Sequence, residues 1–263
     1  MEMAWLVVFL LLLVIGGILW LTHQQEGGLR ILMYHQVDPE KSNFLTVKVC
    51  ELEKQIQWLV QEGYTFLSFS DLLKKEQDNS SLSSKSVVLT FDDGYQNNAD
   101  YLFPLLKKYD LKATIFLPIG FIGKTNQWDD GQDRIMDWES LASCKEHFEY
   151  GFHSYSHQNM AELTVEDFSK EMEICLAEVG RHGLSTVPVL AYPYGRFIKE
   201  ANKRNVYDQV LRNLGFQYAL RIGNTINRYP FKNQLLLCRL DIRGTDTIRE
   251  FASKVKRGKL KIW

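Results

Sequence analysis

Neither sign of charge is in excess in this chain: 31 lysines and arginines stand against 32 aspartates and glutamates, for a formal charge of -1. Phosphate backbones are held by a clear cationic surplus, so nucleic acid is not an expected partner. Cysteine is sparse. The four thiols, Cys50, Cys144, Cys175 and Cys238, lie far apart and form no C-x-x-C pair. That spacing excludes a zinc knuckle or dithiol redox motif and makes buried free thiols the default, with a disulfide left open for an exported domain. No internal repeat and no low-complexity tract is present; only Lys74 to Lys85, KKEQDNSSLSSK, reads as a floppy surface loop. Histidine is scarce too, six in all, so imidazole chemistry must come from a short set.

What is present begins with one long apolar run. Ala4 to Leu21, AWLVVFLLLLVIGGILWL, carries no charge, and about 18 residues at a rise of about 1.5 Å nearly cross a hydrocarbon core. Glu2 is the only charged residue ahead of the run, and THQQEGG follows it in place of a small-residue cleavage site. The expectation is an uncleaved N-terminal transmembrane helix, with residues 1–28 as anchor and short linker and residues 29–263 as one folded domain. Flanking charge codes orientation poorly: no lysine or arginine precedes the span and Arg30 follows it, which leans against an exported C-terminus.

Beyond the linker, short β-branched runs alternate with stretches of helical period. Candidate strands begin at Leu29, Thr65, Ser86, Lys112, Phe148, Val187, Phe216 and Gln234. Between most of them lie segments with apolar residues three and four apart: Cys50 to Glu62, Asn98 to Tyr109, Thr164 to His182, Ala201 to Leu214 and Thr245 to Lys256. Such alternation predicts an α/β fold with a parallel sheet covered by helices, either closed or open and doubly wound; seven or eight units favour a barrel.

Polar residues gather where these strands end. His35 closes the first, Asp92 and Asp93 of TFDDG the third, His153 and His157 of HSYSH the fifth, and Pro193 and Tyr194 of AYPYG the sixth. Carboxyl ends of parallel strands share one face, so these groups are expected to converge. Each has a plain reading: Asp-Gly after a strand is a common turn, and H-x-x-x-H arises often by chance. Yet two imidazoles four residues apart on one side of a helical turn could share a cation, and an aspartate from another strand end would complete a two-histidine, one-carboxylate site.

TFDDG, HSYSH and AYPYG in this order resemble the motifs of the polysaccharide deacetylases, the NodB-homology or carbohydrate esterase family 4 group. The resemblance runs from about Leu29 to the end of the chain and includes FDDGYQNN and PLLKKYDLKATIFL; the early MYHQV resembles the subgroup that deacetylates poly-β-1,6-N-acetylglucosamine, the intercellular adhesin of biofilms. It implies a deformed (β/α) barrel with Asp92 as general base and Asp93, His153 and His157 as ligands of one divalent metal. Zinc suits that donor set, while nickel, cobalt or iron could use the same ligands. It also implies that the backbone N–H of Tyr194 holds the oxyanion, Pro193 having none to donate. Amide cleavage needs an acid as well. The histidine that most of the family carries near the C-terminus has no counterpart in LLLCRLDIRG. His23 lies in the linker, His147 and His182 sit at predicted helix ends, and the metal takes two more, leaving His35 as the candidate acid; the plainer reading is a histidine bonded to backbone. Ala191 stands where many members have an arginine steadying the base, and Arg239 or Arg196 could replace it. Tyr95, Trp128, Trp138 and Tyr155 could stack on sugars, though each reads first as packing.

The implied activity is removal of N-acetyl groups from an extracellular amino-sugar polymer, with acetate released. Such a substrate places the domain on the outer face of the cell membrane on a single-pass anchor, with exopolysaccharide synthase machinery as a partner to consider. Peptidoglycan, chitin-type and galactosamine polymers are alternative substrates of the same motifs. A catalytically silent, membrane-tethered carbohydrate-binding protein is the alternative from another class.

Overall fold

The computed structural model describes residues 28–258. The apolar run and the anchor expected from it lie outside the described residues; among those described, no helix is long and apolar enough to cross a membrane.

Seven parallel strands close into a barrel: β1 (Gly28–Tyr34), β2 (Ser86–Asp92), β3 (Ala113–Leu117), β4 (Phe148–Phe152), β5 (Val189–Ala191), β6 (Tyr218–Ile222) and β7 (Leu237–Asp241). Each pairs with the next in chain order. β1 closes the ring, meeting β2 from Leu29↔Ser86 to Tyr34↔Phe91 on one edge and β7 at Leu32↔Leu240 and Met33↔Asp241 on the other. The expected barrel is therefore present. It is weakest at β5, three residues long and joined to β4 at the single register pair Phe152↔Leu190.

Strand alternation divides the core in two. Leu32, Tyr34, Leu89, Phe91, Ile115, Tyr150 and Phe152 face outward under the helices, whereas Leu29, Ile31, Val88, Phe116, Val189, Ala191, Leu220 and Leu237 form a separate interior cluster. With both faces covered, β2 is buried at every residue, which is why its sequence reads as a near-continuous apolar run. Gly151 leaves interior room for Phe116: a Cβ there would lie 2.5 Å from that ring.

Helices α1 (Val49–Gln61), α2 (Phe69–Gln77), α3 (Phe103–Tyr109), α4 (Trp138–Cys144), α5 (Val165–Arg181), α6 (Ala201–Asn213) and α7 (Ile248–Arg257) cover the barrel. α5 buries Phe168, Met172, Cys175 and Val179, a stripe three to four residues apart. Burial of each such side chain contributes about 1.5–3 kcal/mol. Thr164 caps its start by accepting from the Asp167 N–H.

Four local expectations need correction. The run starting at Thr65 is a strand only over Thr65–Phe66, paired to β2 outside the ring, because a Ser68–Asp71 capping box starts α2 at Phe69. α2 also claims the first residues of the supposed loop from Lys74 to Lys85, and Leu82 of that stretch is buried. The segment from Asn98 begins as a π-helical turn, Asn98–Leu102, before α3. Finally, the run from Gln234 opens with a 3-10 turn, Gln234–Leu236, so β7 starts at Leu237. All four cysteines are free thiols, Cys50 exposed and the others buried.

Candidate active site

Interior positions change character along the barrel axis. On β2 the inward residues are Val88, Thr90 and Asp92, and on β7 they are Leu237, Arg239 and Asp241, so an apolar floor gives way to charge at the carboxyl mouth. Asp92, Asp93, His35, His153, His157, Tyr194 and Arg239 all line one pocket there, of about 250 Å³. Of the strand-end residues expected to converge, all but Pro193 line this pocket.

Asp92 ends β2 and receives a two-pronged hydrogen bond from Arg239, Nη1 to Oδ1 at 2.5 Å and Nη2 to Oδ2 at 2.7 Å. Both side chains are buried, and the guanidinium lies over the Phe116 ring, 5.6 Å from its centroid. This resolves the choice left open by Ala191. Arg196 is an exposed residue 3.9 Å from Glu162, while Arg239 reaches the carboxylate from across β1. Burial would raise the Asp92 pKa, but Arg239, with His153 and His35, brings it below the usual carboxylate value.

The chain then turns through Asp93 and Gly94, with φ of 71° and 64°. Gly94 is required twice over, since a Cβ would also come within 2.6 Å of Leu117. Asp93 Oδ1 lies 3.1 Å from His157 Nε2 and 3.5 Å from His153 Nε2. These three buried residues offer ligand atoms within 4.8 Å of one another. The histidine pair is not on a helical turn, contrary to expectation: Ser154 and His157 take φ of 61° and 55°, and the segment is an irregular loop. Four of the eight non-glycine residues with positive φ among the described residues, Asp93, Ser154, His157 and Tyr194, belong to this site, the concentration of backbone strain expected where geometry serves chemistry.

Each imidazole is oriented through its second nitrogen. His153 Nδ1 donates to the Ala191 carbonyl at 2.7 Å, fixing the tautomer that leaves Nε2 as the free donor of a lone pair. His157 Nδ1 sits 3.2 Å from the Tyr194 hydroxyl, and its ring stacks on Trp128 with centroids 4.3 Å apart. Burial, outweighing the pull of Asp92, lowers the His153 pKa to about 4, which keeps the ring neutral at physiological pH. Asp93 is held well below the carboxylate range: burial acts against this but is outweighed by the hydrogen bond and charge of His157, then by His35 and His153. Neutral imidazoles and an ionised carboxylate are the forms that ligate cations.

His35 follows β1 directly, half-buried, with its carbonyl accepting from Asn98 Nδ2 at 2.9 Å. Tyr194 lies in the turn Pro193–Gly195, 47% exposed, in the left-handed region at φ 58°. The amides of Gly195 and Arg196 close this turn onto the Tyr192 and Pro193 carbonyls. Of the aromatics considered for sugar stacking, Tyr95 is buried, Trp138 stacks on His182 at 3.9 Å, and Tyr155 packs on the core; Trp128 alone reaches the cluster.

Glu171 had no signal in the sequence. From α5 it accepts hydrogen bonds from the N–H groups of Tyr155 and Ser156, the Ser156 hydroxyl and the Gln158 amide, at 2.9 to 3.2 Å. These hold the loop between the two histidines. Glu171→Ala is expected to weaken binding of a divalent cation at this cluster about tenfold or more, measured with added zinc by competition with a chromophoric chelator; unchanged affinity would show that the loop holds its shape without the clamp.

A parallel barrel whose mouth sets an arginine-bound carboxylate beside an aspartate–histidine–histidine cluster is a hydrolase site, with places for a base and a cation side by side. Residues 79–219 match the polysaccharide deacetylase family model, and the chain belongs to that family. A Bacillus subtilis protein named as a polysaccharide deacetylase, YxkH, is 30% identical over 70% of this chain and 63% of its own length. The Staphylococcus epidermidis poly-β-1,6-N-acetyl-D-glucosamine N-deacetylase is 29% identical over 65% of this chain and 60% of its own. The chain thus spans less than two thirds of each. Among solved structures, IcaB from Ammonifex degensii aligns with a TM-score of 0.74 at 23% identity, covering 88% of this chain and 97% of that one, which shows a shared fold.

Proposed function

We propose that this protein is a cation-dependent N-deacetylase of an extracellular amino-sugar polymer, with poly-β-1,6-N-acetylglucosamine as substrate. The observation that carries the reading is the juxtaposition of an ionised, arginine-held Asp92 with the Asp93, His153 and His157 cluster. The substrate is suggested by the staphylococcal relative's name.

Two imidazole nitrogens and one carboxylate fit zinc, and nickel, cobalt or iron could take the same donors. Held by Asp93, His153 and His157, the cation would polarise the acetamide carbonyl and acidify water beside it. Asp92 takes a proton from the attacking water, and Arg239 keeps that carboxylate ionised and aimed. As the water oxygen bonds to the carbonyl carbon, the Tyr194 N–H donates to the carbonyl oxygen that gains charge. His35 supplies a proton to the sugar nitrogen as the C–N bond breaks, giving acetate and an amine. At neutral pH those amines are largely protonated, so the polymer gains charge with which to adhere to anionic surfaces in a biofilm. We place the catalytic domain on the outer face of the membrane, tethered by the apolar run, because that is where such a polymer lies.

Acetate release from acetylated polymer is expected to vanish with a chelator and return with zinc. His35→Ala should bind zinc normally yet lose about 10²- to 10⁴-fold in kcat; near-normal turnover would remove His35 from the mechanism. A C-terminal reporter exposed only to cytoplasm would overturn the placement.

A further inference from the structure

Beside the catalytic pocket lies a larger open hollow of about 820 Å³, and Gly195 and Ile222 line both. A pocket of about 250 Å³ is on the scale of one reacting unit, so a polymer seated there must continue across the rim into adjoining space. The hollow carries four cations, Arg196, Lys199, Lys203 and Arg221, against two anions, Glu162 and Glu200. Arg196 and Glu162 offset each other at 3.9 Å. Lys199 and Lys203 flank the amino end of α6 with exposed side chains, where the helix dipole adds field of the same sign. Arg221 lies over the Phe197 ring at 5.1 Å, and its buried Nε has no hydrogen-bond partner.

We propose that this hollow receives the polymer segment next to the reacting sugar, and that its cations admit neighbours still acetylated while turning away neighbours that already carry an amine. The inference rests on the deacetylase reading above. An acetamide is neutral, whereas a freed amine is largely cationic at neutral pH. Charges of one sign brought together in a partly solvated hollow lower kcat/KM by about fivefold or more. The consequence is a product whose amines are spaced apart instead of lying in runs.

The test uses β-1,6-linked N-acetylglucosamine oligomers of one length, either fully acetylated or with one glucosamine placed beside the scissile unit. Acetate release is followed for the wild-type protein and the Lys199→Glu/Lys203→Glu variant, whose exposed positions should leave the melting temperature unchanged. Wild type is expected to favour the fully acetylated oligomer about fivefold or more, by a margin that shrinks with added salt. The variant should lose or reverse that preference. Equal discrimination by both proteins, or none by wild type while it deacetylates the acetylated oligomer, overturns the role of the hollow. No acetate from any oligomer overturns poly-β-1,6-N-acetylglucosamine as the substrate and this inference with it.

Discussion

Asp92→Asn is expected to abolish nearly all acetate release, about 10²- to 10⁴-fold in kcat, while leaving zinc affinity close to wild type. The separation follows from geometry. Asp93 is the carboxylate that meets both Nε2 atoms, at 3.1 and 3.5 Å, whereas Asp92 stands 3.9 Å from the His153 Nε2 and faces Arg239. An amide in place of the carboxylate still accepts one bond from the guanidinium but has no basic oxygen to take a proton from water. Asp93→Asn should do the reverse, weakening zinc binding first and losing activity only as a result. Isothermal titration with zinc beside acetate kinetics separates the two. If both variants lose zinc equally, the division of labour between neighbouring aspartates is wrong.

How far this placement was legible depended on whether a side chain sat at a strand end or was delivered by the packing of distant elements. The convergence of His35, Asp92, Asp93, His153 and His157 was readable because parallel strands send their carboxyl ends to one face, and the alternation of strand and helix announced such a sheet. The number of strands in the ring was nearly readable; Thr65–Phe66 looked like a full strand because its apolar residues continue into α2, where Phe69 and Leu72 bury in the interior cluster. The helical placement of HSYSH failed for a physical reason: spacing alone ignores φ, and the loop reverses hand at Ser154 and His157. Glu171 was invisible because two of its four partners are backbone amides, which leave no trace in side-chain identity, and the Ser156 and Gln158 side chains that join them are too common to signal a clamp. Arg239 was visible only as one of two options. Its partner lies 147 residues away, and the contact exists because β1 closes the ring between β2 and β7. Once that closure is known, the inward parity of Leu237, Arg239 and Asp241 points the guanidinium at Asp92, and the exposed Arg196 drops out.

The same closure makes the loss of Arg239 costly to stability. Arg239→Met keeps much of the buried volume but leaves the Asp92 carboxylate without its counter-charge in the barrel interior. Breaking a buried pair from one side destabilises by about 3–5 kcal/mol, so urea unfolding should show a correspondingly lower midpoint. Part of that loss depends on pH. In the intact protein Asp92 has a folded pKa below its unfolded value, so its contribution is present above the unfolded pKa and disappears as pH falls through the folded one. Without Arg239 the burial that already opposes ionisation is no longer outweighed, and the sign reverses: the carboxyl titrates above its unfolded value, and the variant gains relative stability on mild acidification. The acid limb of the activity profile should move to higher pH for the same reason, since the base must be ionised to act. Adding Asp92→Leu to Arg239→Met removes the stranded charge, and the double variant should recover most of the lost stability while remaining inactive. That recovery marks the pair as one the protein keeps for chemistry. If the double variant is instead no more stable than Arg239→Met alone, the interior has lost packing around Phe116, where the guanidinium stacks, and the charge argument fails.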